Sequence, residues 1–145
     1  MSKIMVVDHI GIVVKSLEKG IEYWEEVFGY KQMTEIVVNT RQKVKVVFLS
    51  KDKSLIVKLI EPTDETSPVF RYSRKGGGLH HLGFRCENIN VEILKLKNLG
   101  LRVIANPQPG EAFENNQIAF LLGNQALNIE LIDTDIKARK IISNE

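Results

Sequence analysis

The sequence predicts a single α+β domain built from two similar halves, each with the order β-α-β-β-β. The first observation is a repeat, because residues 8–12 (Asp-His-Ile-Gly-Ile) have a counterpart 72 residues later in residues 80–84 (His-His-Leu-Gly-Phe). The second is that the same offset relates residues 58–61 to residues 130–133. One register kept by two separate segments indicates an internal duplication. The third is the length of 145 residues, which corresponds to one domain at roughly 100–200 residues each.

The first half, residues 5–62, begins with a strand and a helix. Residues 6–14 are rich in β-branched side chains, which are typical of strands. Ser16 is suited to cap a helix, and apolar residues then recur at helical spacing until Gly29, which is suited to end one. The turn at 51–53 predicts a hairpin between the last two strands. The remaining strands of this half are expected at about 30–40, 43–50 and 54–61.

A connector, residues 63–78, leads to the second half, residues 79–133, which repeats the scheme. A strand is expected at about 79–86, and a helix begins near Ile89 and ends at Gly100. The segments that follow are a strand at about 101–105, a loop at 106–116, strands at about 117–122 and 126–132, and a frayed helical tail at 134–145.

Composition excludes several classes of protein. The apolar fraction of 43% and the charged fraction of 26% are those of a soluble globular domain. The formal net charge of +2, with both signs interleaved, gives no case for binding to nucleic acid or a membrane. Cys86 is the only cysteine, so neither an intramolecular disulfide nor a cysteine-based zinc site is expected. The N-terminus lacks a signal pattern and no apolar run is long enough for a membrane span, so a cytoplasmic protein is expected.

The motifs resemble those of the vicinal oxygen chelate superfamily. The modules open on Asp-His-Ile-Gly and His-His-Leu-Gly, and the second closes on Asn-Ile-Glu-Leu. That superfamily includes glyoxalase I, methylmalonyl-CoA epimerase, extradiol dioxygenases and the fosfomycin- and bleomycin-resistance proteins. The resemblance covers about residues 5–133, and the runs at 77–81 and 59–62 are most similar to the epimerase branch. It implies a half-open β-barrel cleft, a small-molecule substrate such as a CoA or glutathione thioester, and a homodimer.

The resemblance also implies a divalent metal ion, with one ligand from the first and one from the last strand of each module. Those positions carry His9, Lys58, His81 and Glu130. A lone histidine on an apolar strand is more often a core residue, but a buried carboxylate needs a partner or a proton. Two imidazoles and a carboxylate suit Zn, Ni, Co, Mn or Fe. Because side chains alternate along a strand, His80 is expected to face away from His81, packing against the helix or donating a hydrogen bond.

Lys58 departs from the superfamily pattern, since glyoxalases and epimerases carry Glu or Gln at that position. Two unit charges at 4 Å interact by about 4 kcal/mol at an effective dielectric constant of 20, so an ammonium beside a divalent ion is penalised by roughly twice that. Three arrangements stay open. Lys58 turns aside and leaves a triad of His9, His81 and Glu130; or it becomes a neutral amine and a candidate base; or it replaces the metal and pairs with Glu130.

Arg41 is the second departure, because epimerases carry a second catalytic carboxylate before the third strand. No acid lies between Glu35 and Asp52, and an arginine does not serve as a base at neutral pH. Arg41 could instead bind a carboxylate or phosphate of the substrate. A loop glutamate of the second half, Glu111 or Glu114, could supply an acid instead.

Three functions follow as hypotheses. The first is a metal-dependent lyase or isomerase acting through an enolate, with Glu130 as ligand and base, His9 and His81 as ligands, and Lys58 or Arg41 as electrostatic partner of the substrate. The second is dioxygenase or transferase chemistry on three ligands. The third is a metal-free protein that binds a small molecule, like the bleomycin-resistance proteins.

Overall fold

The computed structural model describes residues 5–141. The strands in this part of the chain are β1 (Val6–Val13), β2 (Lys31–Gln32), β3 (Val37–Asn39), β4 (Val44–Ser50), β5 (Ile56–Pro62), β6 (Gly78–Arg85), β7 (Arg102–Gly110), β8 (Asn116–Leu122) and β9 (Asn128–Ile132). The helices are α1 (Leu17–Phe28), α2 (Phe70–Arg74) and α3 (Ile89–Asn98), with single 3₁₀ turns at Glu111–Phe113 and Asn124–Ala126. No helix within these limits is long and apolar enough to cross a membrane.

All nine strands belong to one mixed sheet that stays open and does not close into a barrel. Its order is β2-β4-β5-β1-β6-β9-β8-β7, and β3 also pairs with β4. Each module contributes one end of the sheet: β1 runs parallel to β5, and β6 runs parallel to β9. The two modules meet where β1 and β6 pair in antiparallel fashion. The predicted α+β fold of two β-α-β-β-β modules is confirmed.

Alternation of side chains gives the sheet two different faces. On one face, each module packs a helix on its own strands: Leu17 of α1 lies against Leu59 of β5, and Ile93 of α3 lies in a cluster with Leu131 of β9. The opposite face carries a third core cluster shared by both modules, which includes Phe48 and residues of the 3₁₀ turn at 111–113. The side chains of His9, Lys58, His81 and Glu130 belong to this shared face, and the strand neighbours of Lys58 and Glu130 pack toward the helices.

The two long helices begin as the sequence predicts. Ser16 Oγ accepts a hydrogen bond from Lys19 N at the start of α1, and Asn88 Oδ1 accepts one from Val91 N at the start of α3. Gly29 ends α1 with a φ of 74°, the left-handed conformation that glycine adopts without strain.

The helical prediction for the tail is wrong over its described part, residues 134–141. This segment forms a non-helical strap with a turn at residues 138–139: Ala138 N donates to Ala112 O, and Ile141 N donates to Met33 O. Its backbone groups therefore find partners on neighbouring elements, which removes the need for a helix. The rest of that prediction, residues 142–145, lies outside the described residues. The predicted loop at 106–116 is also partly wrong, because β7 continues to Gly110.

Candidate metal and ligand site

The β1–β6 pair explains why each module repeats the pattern His-x-Gly. In the antiparallel register His9 lies opposite Gly83, and Gly11 lies opposite His81. A methyl group on Gly83 would overlap the ring of His9, and one on Gly11 would overlap the ring of His81. Each glycine therefore leaves the space that the histidine of the other module fills. The duplicated motif is a reciprocal packing arrangement, with the two imidazoles stacked edge to face at the centre.

Two β-bulges add a partner to each histidine. The register of β1 and β6 shifts once at Asp8 and once at His80, so each strand carries one extra residue there. As a result Asp8 Oδ2 lies 2.8 Å from His9 Nδ1, and His80 Nδ1 lies 2.8 Å from His81 Nδ1. The expectation that His80 faces away from His81 is wrong, since the bulge interrupts simple alternation. The expectation of a hydrogen bond from this residue agrees with the contact.

The structure brings the four side chains at the predicted ligand positions together. Glu130 Oε1 lies 2.8 Å from His9 Nε2 and 3.1 Å from His81 Nε2, and those two nitrogens are 3.2 Å apart. Lys58 Nζ lies 3.3 Å from both Glu130 oxygens, so it is paired with the carboxylate and not turned away. All four side chains are buried, and the carboxylate of Glu130 is 0% exposed.

The charges of the cluster depend on this burial. Burial by itself would raise the pKa of Glu130, but Lys58 and the two histidines outweigh it and hold that pKa well below its usual value. Glu130 is therefore a carboxylate. Burial lowers the pKa of His81 to about 3, so His81 is neutral.

Asp8 fixes the protonation pattern of His9, a role that sequence reasoning missed. An ionised carboxylate only accepts hydrogen bonds, so the Nδ1–H of His9 donates to Asp8 and Nε2 faces the cluster. Asp8 is in turn held by Lys137 of the tail strap, whose Nζ lies 2.9 Å from Asp8 Oδ2. Burial opposes the ionisation of Asp8, but His9 and Lys137 hold its pKa below the usual value. In the sequence, the one signal for this role was that Asp8 directly precedes His9. Nothing in the sequence indicated the contact between Lys137 and Asp8.

The donor set fits one divalent ion with three protein ligands. Ligands held at right angles on one ion at about 2.1 Å are separated by about 3.0 Å. The mutual distances of 2.8, 3.1 and 3.2 Å among His9 Nε2, His81 Nε2 and Glu130 Oε1 have this spacing. Asp8 behind His9 supplies the outer hydrogen bond that orients a ligating imidazole. Lys58 is the feature that opposes a cation, because it already neutralises Glu130.

A cavity of about 340 Å³ opens beside this cluster. Lys58, His80 and His81 reach it from the cluster, while Glu130 is not part of its wall. Arg41 and Gln42 line the same cavity from the turn between β3 and β4. No acidic side chain from the described part of the chain is among the lining residues. The groups that line the cavity are therefore cationic, neutral polar or apolar.

The loop glutamates do not supply the missing acid. Both oxygens of Glu111 accept hydrogen bonds from Thr40, from its N and its Oγ1, each at 2.8 Å. Glu111 therefore holds the β3–β4 turn in place. Glu114 is exposed and lies outside the cavity wall. The expectation that one of these two glutamates provides a catalytic acid finds no support in the cavity.

Known proteins resemble this chain in sequence and in fold. A protein of Bacillus subtilis (strain 168), YqjC, is 33% identical over 115 residues, which are 79% of this chain and 80% of that protein. Human mitochondrial methylmalonyl-CoA epimerase is 30% identical over 100 residues, which are 68% of this chain but 56% of that protein. Methylmalonyl-CoA epimerase of Streptomyces coelicolor, solved with 2-nitronate-propionyl-CoA, superimposes with a TM-score of 0.77 at 26% identity and covers 88% of this chain and 96% of that chain.

A family profile agrees with the duplicated motif and with the fold. The profile described as "Glyoxalase/Bleomycin resistance protein/Dioxygenase superfamily" matches residues 8–120, which include most of β1 and all of β6, the two central strands. This match, together with the open sheet and the reciprocal His-Gly packing, shows that the chain belongs to the glyoxalase/bleomycin resistance protein/dioxygenase superfamily.

Proposed function

We propose that this protein is an enzyme that removes a proton from the carbon beside a carbonyl or thioester group of a small substrate, in lyase or isomerase chemistry similar to that of glyoxalases and methylmalonyl-CoA epimerases. The observation that carries the proposal is the contact between Lys58 Nζ and both oxygens of Glu130 beside the cavity. It places a proton acceptor next to a cation, which are the two groups that enolate formation requires.

The proton goes to Glu130 in this proposal, and because Glu130 is not part of the cavity wall, Lys58 must move before a substrate can reach it. Glu130 Oε1 contacts both histidines and Lys58, whereas Oε2 contacts only Lys58 within the described part of the chain. When Lys58 donates to the substrate oxygen instead, Oε2 becomes free to accept a proton. Losing the nearby ammonium also raises the pKa of Glu130 and makes it a stronger base.

The electron pair goes to the substrate oxygen. As the C–H bond breaks and the proton binds Glu130 Oε2, negative charge develops on the carbonyl or thioester oxygen. Lys58 lines the cavity and stabilises that charge. A divalent ion held by His9, His81 and Glu130 would add Lewis-acid polarisation of the same oxygen. Arg41 does not act as a second base, so the proton leaves and returns through Glu130.

Hydrogen–deuterium exchange in D₂O tests this proposal. The protein is incubated with propionyl-CoA, methylmalonyl-CoA or the hemithioacetal of methylglyoxal and glutathione, and exchange beside the carbonyl is followed by NMR. We expect Glu130→Gln to lower the exchange rate by about 10²–10⁴-fold, since it removes the proton acceptor. Glu22→Gln, on the exposed side of α1, is the control and should leave the rate unchanged. Wild-type protein without exchange on any of them, or full exchange by Glu130→Gln, would refute the proposal.

A metal-free binding protein is the second candidate, and the Lys58–Glu130 pair also favours it. An ammonium that neutralises the carboxylate lowers the affinity for a cation. Elemental analysis of protein purified without chelator separates the two candidates. If the natural protein is metal-free and Lys58→Gln binds Co²⁺ tightly where wild type does not, Lys58 has replaced the metal. The cytoplasmic location, the homodimer and the single-domain boundaries remain predictions.

A further inference from the structure

Gln42 has a buried side-chain amide without a hydrogen-bond partner. Both its Nε2 and its Oε1 are shielded from solvent and unbonded, and they are the only such side-chain atoms among residues 5–141. A buried polar group left unpaired is costly, so native structures pair nearly all of them. Gln42 lines the cavity described above. Because both atoms are shielded from solvent, rotation of the Gln42 side chain toward the cavity would bring its donor and its acceptor to a ligand.

The turn that carries Gln42 is fixed by the second module. Thr40 donates twice to Glu111, and Ala112 N donates to Asn39 Oδ1 at 2.8 Å. The Asn39 side chain is thereby used for support, and the residue is buried. These bonds hold the turn over the cavity, so the unpaired amide of Gln42 does not come from a loose loop.

Arg41 adds a cation beside that amide. It forms no ion pair or hydrogen bond within the described part of the chain, although it lines the same cavity. Among residues 5–141, no acidic side chain lines that cavity, and Lys58 is a second cation in its wall. A cavity of this charge favours an anionic ligand. Its volume of about 340 Å³ is near the small end of ligand pockets, which span about 300–1,000 Å³.

Building on the proposed function, we infer that Arg41 and Gln42 form a subsite for a carboxylate whose neighbouring carbon carries a hydroxyl group, so that the substrate is a small hydroxy-acid derivative. The guanidinium of Arg41 and the Nε2–H of Gln42 donate to the oxyanion. Gln42 Oε1 needs a donor, which a carboxylate lacks and an adjacent hydroxyl supplies. The subsite thus binds the carboxylate and the adjacent hydroxyl group at one end of the ligand, while Lys58 and Glu130 act on the other end.

Malonate and tartronate test the inference, because they differ only by a hydroxyl group beside the carboxylates. Binding of each to the full-length protein in EDTA is measured by calorimetry. We expect wild type to bind tartronate about tenfold more tightly than malonate, since only tartronate satisfies Gln42 Oε1. Gln42→Leu should abolish this preference and melt no lower than wild type, because it removes an unsatisfied buried amide. Arg41→Gln should weaken both ligands by about tenfold or more.

Arg71→Gln provides the control, since Arg71 is exposed on α2 and lies outside the cavity wall. It should change neither affinity. Equal affinities in wild type, no binding of either ligand, or a preference that survives Gln42→Leu would overturn the inference. Glu130→Gln separates it from the proposed function: the tartronate preference should persist in that variant while proton exchange is lost. If Glu130→Gln loses only the tartronate preference in addition to proton exchange, the subsite is contradicted. If Glu130→Gln keeps both the preference and proton exchange, the enzyme mechanism is contradicted and the subsite is not.

Discussion

The two modules share one backbone plan but carry different charges at the centre. The offset of 72 residues pairs His9 with His81, Lys58 with Glu130 and Asp8 with His80. The histidines are the same and each rests on the other module's glycine. The other two pairs have diverged, and one of them has become a buried ion pair between modules. Duplication therefore sets where the side chains meet, and divergence sets the chemistry there.

Asp8 and His80, the outer partners of the two histidines, also occupy equivalent positions but differ in charge. Asp8 brings a full negative charge to His9 and is held by Lys137, a residue of the tail that has no counterpart in the first module. His80 brings a neutral ring to His81, because burial and then Lys58 lower the pKa of His80. The first histidine is thus the more strongly anchored of the two.

Exchanging the charged residues Lys58 and Glu130 between the two modules should have the largest effect on the free energy of unfolding. Lys58→Met alone leaves Glu130 buried without its cation, and we expect the free energy of unfolding to fall by about 3–5 kcal/mol. The double variant Lys58→Glu with Glu130→Lys restores a pair at the duplicated positions and should recover most of that loss. Urea unfolding in EDTA measures both.

A surface pair of the same module serves as control for the exchange. Lys45 Nζ lies 2.9 Å from Glu61 Oε2, and the Lys45 side chain is 39% exposed. Lys45→Met should therefore cost at most about 1 kcal/mol. A double exchange no more stable than Lys58→Met would show that the modules are not interchangeable around this pair.

The glycines test whether the packing is reciprocal. A methyl group at Gly11 or at Gly83 overlaps a histidine ring of the other module, so each Gly→Ala change should cost about 1–3 kcal/mol of unfolding free energy. The two losses should be similar. Gly123→Ala is the control, because its methyl group would meet Leu101 at an ordinary 3.6 Å. A large loss at only one of the two central glycines would contradict reciprocity.

The outer partners of the histidines should differ in their effect on metal binding. Asp8→Asn removes the charge behind His9, and we expect about 10–100-fold lower affinity for Co²⁺ in Lys58→Gln protein, the background that lacks the competing amine. His80→Asn in the same background should have a smaller effect, since it replaces one neutral partner with another. Calorimetric titration provides the affinities. Equal losses would mean that the carboxylate of Asp8 is not what distinguishes the modules.

The helix caps should show the smallest effect and no difference between modules. Ser16→Ala and Asn88→Ala each remove one hydrogen bond to a backbone N–H at the start of a helix. Each change should lower the free energy of unfolding by about 1 kcal/mol, as measured by urea unfolding. A loss confined to one helix would show that the other is held by packing alone.

The sequence predicted what local rules and repetition control. The repeated motif with its fixed offset gave the order of elements and the four positions that meet at the centre, because the side-chain period of a strand carries that information. It did not predict the bulges at Asp8 and His80, since a bulge depends on the pairing of two distant strands. For the same reason the orientation of His80 was predicted wrongly, and the supporting role of Asp8 was missed.

By itself, the sequence determined the fold class, the ends of the two long helices and the pairing of duplicated residues, all of which follow from short-range periodicity and chemistry. Only the tertiary structure decided the contacts between segments far apart in the chain. Lys137 of the tail reaches Asp8, Glu111 holds the turn at Thr40, and the amide of Gln42 is shielded from solvent without a partner in the described part of the chain. These contacts depend on how distant elements pack, and no local pattern in the chain encodes that.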